Sequence, residues 1–181
     1  MIDDPGYGSA LDAGLPDAKR FLRIAESGED AEVAALVVAA TGVSETFLDR
    51  ALVTRLFSET IAREARWQLL GRSPVQVITA VEDAAGDPLD VAAYAIDIDA
   101  DGGGWVRFPG GGEGLATVRY QAGTGADWAA IAAPVRHAII RLTAHLYTYR
   151  DALGIDGLPS AVTALLAPWR RLPLGATRVS R

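Results

Sequence analysis

Apolar residues recur every three or four positions near both ends of the chain and at every second position in between. This pattern predicts helices on either side of a β segment. The clearest helix covers residues 134–150. Stepping 100° per residue puts Val135, Ala138, Ile139, Leu142, Leu146 and Tyr149 on one side, with His137, Arg141, His145 and Thr148 as a polar stripe. Ile140 and Tyr147 form a second, smaller apolar patch. A surface helix of a lone monomer needs only one apolar face, so this patch asks for a partner, either another segment of the chain or a neighbouring subunit. Pro134 suits a first helical turn, and Gly154 stands where a C-terminal cap is expected.

Three more helices follow from the same reasoning. Pro16 opens one over residues 16–27, with Phe21, Leu22 and Ile24 as core candidates and Gly28 as the stop. A longer one covers residues 29–50, where Val33, Leu36, Val37, Ala40, Ser44, Phe47 and Leu48 recur at helical spacing and Glu29 and Asp30 suit the positive end. Gly42 in its middle is a candidate kink or close contact. Residues 159–171 make the last, short helix, built on Val162, Leu165, Leu166 and Trp169 and limited by Pro168.

Between residues 52 and 122 the period shortens to two. Strands are expected over 52–61, 76–82, 94–98, 104–108 and 116–122, with a turn at Ala85-Gly86-Asp87-Pro88 and a loop at the glycine-rich run after Phe108. Residues 67–73 read as a linker and residues 1–15 as a flexible arm. The expected fold class is α+β: a mainly helical bundle of about four helices with an inserted small antiparallel β unit at about 52–122. One domain spans 16–171, followed by an extended basic tail at 172–181.

Composition narrows the function classes. The chain has no cysteine, which removes disulfide frameworks, thiolate zinc sites and cysteine nucleophiles. No apolar run reaches the ~20 residues that span a bilayer, and the acidic, Gly-rich N-terminus is unlike a signal peptide, so a protein made and kept in the cytoplasm, with no membrane partner, is expected. Net charge is −6, with Lys19 the only lysine, which disfavours sequence-reading nucleic-acid binding. The charge is uneven. Residues 73–106 hold seven acids and no lysine or arginine, whereas the stretch from Pro168 onward holds four arginines and no acid.

Candidate chemistry is sparse. Asp97, Asp99 and Asp101, followed by Gly102, have the spacing that opens a calcium loop, but the twelfth position is Phe108 instead of a bidentate Glu. An acidic hairpin turn is the simpler reading, and a divalent-metal enzyme stays a distant alternative. The triplets at 102–104 and 110–112 lack the Lys-Ser/Thr of a phosphate cradle and read as flexible loops. His137 and His145 lie two helical turns apart with Arg141 between them. That spacing suits a polar stripe or interface hydrogen bonds better than a metal pair. Tyr147, Tyr149 and Arg150 fit packing between helices or subunits better than a nucleic-acid stacking platform. No catalytic, cofactor or metal residues are assigned.

Several of these residues carry a resemblance. Arg136-His137-Ala138-Ile139 with Ala144-His145-Leu146-Tyr147-Thr148-Tyr149-Arg150, then Leu165-Leu166-Ala167-Pro168-Trp169-Arg170, resembles the C-terminal signature of the head–tail connector (adaptor) family of long-tailed bacteriophages and gene transfer agents. Asp17 to Ile24, Pro74 to Ile78 and Val118 to Gly123 fit more loosely. The resemblance implies a structural virion protein at the neck, not an enzyme, with no cofactor. Its expected partners are copies of itself in a ring of about twelve, the portal protein, a stopper or tail-terminator protein, and DNA passing through non-specifically. Another neck or tail-completion protein of a phage-like particle is the alternative. On this reading Ile140, Arg141, His145, Tyr147 and Arg150 are subunit-interface candidates, with Glu45 or Asp49 of a neighbour facing the arginines. Trp169, Arg170, Arg171, Arg178 and Arg181 are portal-docking candidates. Asp97, Asp99 and Asp101 are channel-lining candidates, where their charge would repel DNA phosphates.

Overall fold

The computed structural model describes residues 1–149 and 157–171. The chain is α+β, with four α-helices and seven strands among the described residues. These form two compact units. One is helical, drawn from residues 7–53 and 125–171, and the other is a β unit drawn from residues 1–6 and 54–124.

In the helical unit, α1 (Gly14–Leu22), α2 (Asp30–Leu48) and α4 (Ser160–Leu166) each pack against α3 (Ala133–Thr148). The chain leaves and re-enters this unit at one place, where Val53 and Gly125 form a parallel bridge. Val33, Val37, Ala40 and Leu48 of α2 and Val135, Ala138, Ile139 and Leu142 of α3 are buried in its core, as their spacing predicts. Among the described residues α2 is long and apolar enough to cross a membrane by length and composition, yet this buried face makes it a core helix of the bundle. Gly42 lies within an unbroken helix, so no break occurs there. Thr41 and Ser44, buried beside it, donate their hydroxyls to the carbonyls of Val37 and Ala40, four residues back.

α1 is shorter than expected. Arg23 takes a left-handed backbone (φ 61°), and the N–H groups of Arg23 and Ile24 close on carbonyls of Lys19 and Arg20. Ending there turns Phe21 outward. It is 45% exposed instead of core, while Ala18 is buried and Leu22 and Ile24 are only partly so.

The β unit holds two sheets. The first runs β1 (Ile2–Asp3), β2 (Arg55–Ala62), β7 (Leu115–Ala122), β4 (Val75–Glu82), all antiparallel neighbours. The second runs β3 (Gln68–Leu69), β6 (Gly104–Arg107), β5 (Ala95–Ile98). β7 alternates strictly, burying Ala116, Val118, Tyr120 and Ala122 and turning the intervening residues outward. Tyr120 stacks on Phe57 (5.8 Å) and donates its hydroxyl to Glu59 Oε2 (3.0 Å). Burial, with the Glu59 charge beside it, holds the phenol well above its ordinary pKa.

Three sequence expectations are corrected here. Residues 1–15 are not a loose arm. Ile2 and Asp3 pair with Glu59 and Ser58, and Asp4 takes a bidentate ion pair from Arg55 (both 2.7 Å). Further on, in the helical unit, Leu11 is buried in a single 3₁₀ turn. Residues 67–73 are not merely a linker, because β3 pairs with β6 through Gln68–Val106 and Leu69–Trp105. Nor is the first glycine triplet a flexible loop. A Cβ on Gly102 (φ +78°) would meet Pro74 at 2.4 Å, and one on Gly104 would meet Val75 at 2.7 Å and Leu70 at 2.9 Å. Gly110 to Gly112 do form an open loop, with nothing nearer than 3.9 Å to any added Cβ.

Candidate functional site

α3 is the element that presents most of the candidate residues. Its polar stripe is exposed at His137, Arg141 and Thr148, and His145 is half-buried. The rings of His145 and Tyr149 lie 4.7 Å apart, and Tyr149, expected on the core face, is 53% exposed. The second apolar patch finds much of its partner within the chain. Ile140 and Tyr147 both pack against the helical core and are half-buried, and the Tyr147 hydroxyl donates to Glu29 Oε2 at 2.6 Å. Glu29 lies at the start of α2, so a hydrogen bond ties the two helices at this point. The two-faced helix therefore does not by itself demand a neighbouring subunit. What it leaves exposed is mostly polar.

Glu45 is also removed from the set of rim acids. It is 4% exposed, its Oε1 accepts the Leu52 N–H at 2.7 Å, and its Oε2 accepts the Tyr7 hydroxyl at 2.9 Å. A carboxylate so enclosed serves its own chain. Asp49 is exposed, in the left-handed position that ends α2. Arg150 lies outside the described residues.

The α4 end carries the next group. Trp169 is 40% exposed in the 3₁₀ turn that follows α4. The Arg170 guanidinium sits 5.4 Å from the ring centre of Phe47, and the Arg171 N–H donates to the Leu48 carbonyl at 2.9 Å. Backbone and ring contacts thus fix where the basic segment leaves α4. Arg178 and Arg181 lie outside the described residues.

The acidic hairpin is a turn held by one of its own aspartates. Asp99 Oδ1 accepts the N–H groups of Asp101 (3.0 Å) and Gly103 (2.7 Å), and Oδ2 accepts Trp105 Nε1 (2.8 Å). Asp101 is exposed and Asp97 half-buried. Among the described residues no three carboxylates or imidazoles converge as metal ligands would.

One surface was not legible in the sequence. Between α1 and α3 lies an open groove of about 620 Å³, lined by Arg20, Phe21, Arg23, Arg136, His137 and Ile140. Phe21 meets His137 edge-to-face at 6.1 Å. Arg136 is pinned by Nη1 to the Ala129 carbonyl (2.9 Å). Asp17, also on the lining, is engaged by Arg20 Nη1 and Trp128 Nε1, 2.9 Å each. The signal that could have found it is the Arg20–Phe21–Arg23 cluster, but it shows as a surface only once α1 stops at Leu22.

Comparison with known proteins decides the class. No protein-family model and no curated protein matches the chain. Solved structures do. A chain in the neck of an empty gene transfer agent particle, computed with C6 symmetry, is similar with a TM-score of 0.75 and 25% identity, over 99% of this chain and 100% of that one. A chain of the native gene transfer agent virion gives 0.73 and 26%, over 98% of each. A chain in the neck of the native particle, computed with C12 symmetry, gives 0.69 and 25%, over 99% and 100%. The chain is a structural neck protein of a phage-like particle. Likeness over the full length of both partners means that the helical unit, the inserted β unit and the N-terminal strand all belong to the neck protein's common build. The connector resemblance read from α3 and α4 is thereby borne out.

Proposed function

We propose that this neck protein is the head–tail adaptor of a phage-like particle. It assembles as a twelve-fold ring beneath the portal, holds the stopper or tail terminator on its far side, and lets DNA pass without sequence-specific contact. The observation that carries this reading is the end-to-end likeness to neck chains of particles computed with C6 and C12 symmetry. Ring closure needs two different, complementary patches on each subunit. On the helical unit Arg141, His145, Arg150 and the uncovered parts of Ile140 and Tyr147 supply one patch, and Asp49 is the remaining acid to face the arginines. Trp169, Arg170 and Arg171, with Arg178 and Arg181, form the portal-docking segment. Asp97, Asp99 and Asp101 line the channel, where negative charge keeps DNA sliding.

Electron microscopy of purified particles tests the reading. A ring of this chain between head and tail is expected. Complete particles that lack the chain, or density for it within the tail, would overturn the assignment. An outward-facing β5–β6 turn would remove the channel role alone.

A further inference from the structure

We infer that the α1–α3 groove of one copy receives the acidic turn after β4 from the next copy. This rests on the ring reading above and names the surfaces that join its members. The groove is cationic and partly apolar, with Arg20, Arg23 and Arg136 around an exposed Phe21 and a half-buried Ile140. Asp17, the acid on its lining, is already engaged by Arg20 and Trp128. The complementary feature is on the β unit. Val91 is 76% exposed, more than any other large hydrophobic residue described except Met1. It follows Asp87 and Asp90, both exposed, within the segment that has seven acids and no lysine or arginine. The turn is shaped in advance. Asp83 Oδ1 accepts the N–H groups of Ala85 and Asp87, and Asp90 Oδ1 accepts that of Ala92, fixing Val91 in a 3₁₀ turn.

An apolar knob flanked by carboxylates thus matches an aromatic-lined groove rimmed by guanidinium groups. Groove and knob are different surfaces of one chain, which is the arrangement that head-to-tail closure requires. It leaves the β5–β6 turn free to face the lumen.

The absence of native cysteine makes the test direct. Particles carrying the double variant Arg23→Cys/Val91→Cys are treated with a short bismaleimide. A ladder of cross-linked multimers is expected, with each single variant and the double variant Arg23→Cys/Leu115→Cys giving none. Independently, Arg23→Glu should lower incorporation into particles about tenfold or more, and Asp87→Arg in the same chain, which leaves the Asp90 cap in place, should restore it. Chain absent from particles of the unaltered strain overturns the adaptor reading itself. Chain present, with no ladder and no charge-swap rescue, overturns this inference and leaves the adaptor reading standing.

Discussion

At the scale of single residues, two buried contacts make sharp predictions. Glu45 satisfies a buried backbone N–H at Leu52 as well as the Tyr7 hydroxyl. Glu45→Ala would strand that N–H and should lower stability by about 2–3 kcal/mol, read as a fall in the denaturant midpoint. Glu45→Gln keeps an acceptor and should lose clearly less. The glycines divide as their surroundings do. Gly104→Ala drives a methyl into Val75 and Leu70 and should cost about 1–3 kcal/mol. Gly110→Ala, with open space around it, should stay within about 0.5 kcal/mol. Thermal melts of the two variants side by side check the pair. Neither contrast was visible in the sequence. Glu45 reads there as a surface acid on a helix, and both triplets read as loops, because what decides them is a partner outside the local pattern, Leu52 and Tyr7 for Glu45 and Val75 and Leu70 for Gly104.

At the scale of elements, legibility followed how long a regular pattern persists. α2, α3 and β7 show enough repeats of period 3.6 or 2 for burial to be read directly, and their cores fall as expected except at Tyr149, just past the end of α3. β1 and β3 are two residues each, too short for any period, and exist only because β2 and β6 offer them an edge. α1 failed at its end for a related reason, since Arg23 takes a backbone that favours glycine or asparagine and nothing local announces it. The N-terminal strand carries a pH prediction. The Arg55 guanidinium, by its hydrogen bonds to Asp4, holds that carboxyl below its ordinary value. A depressed folded-state pKa contributes stability above the unfolded value of 3.8, lost as pH falls through the lower folded value. Asp4→Asn should therefore lower the stability of the β unit at pH 7 and flatten its decline below pH 3.8, while leaving the most acidic points unchanged. Urea titrations at stepped pH would show it.

At the scale of the whole molecule, charge and fold bear on how DNA is treated. A chain of net charge −6 has few counterions to release from a duplex. The free protein should show no retention of duplex DNA in a gel-shift assay at about 0.15 M salt; a stable complex there would count against passive passage through a channel. The connector signature in α3 and α4 pointed to the class, while the surfaces proposed to join neighbouring copies were hidden. The groove exists only where α1 stops, and the exposure of Val91 only where the turn after β4 is built. Of the residues singled out beforehand, Arg141 and Trp169 are exposed as a docking role requires, whereas Glu45 is consumed internally.

The place of β7 has one more consequence. Among the described strands it is the last to leave the ribosome, yet it lies between β2 and β4, which in this sheet find their common partner nowhere else. Until translation passes Ala122, those two strands wait with open edges. Nascent chains halted before Leu115 should be digested readily across residues 55–82, and chains extended beyond the ribosome past Ala122 should resist. Synthesis order thus makes the pairing of β2 and β4 an all-at-once event, closed by β7.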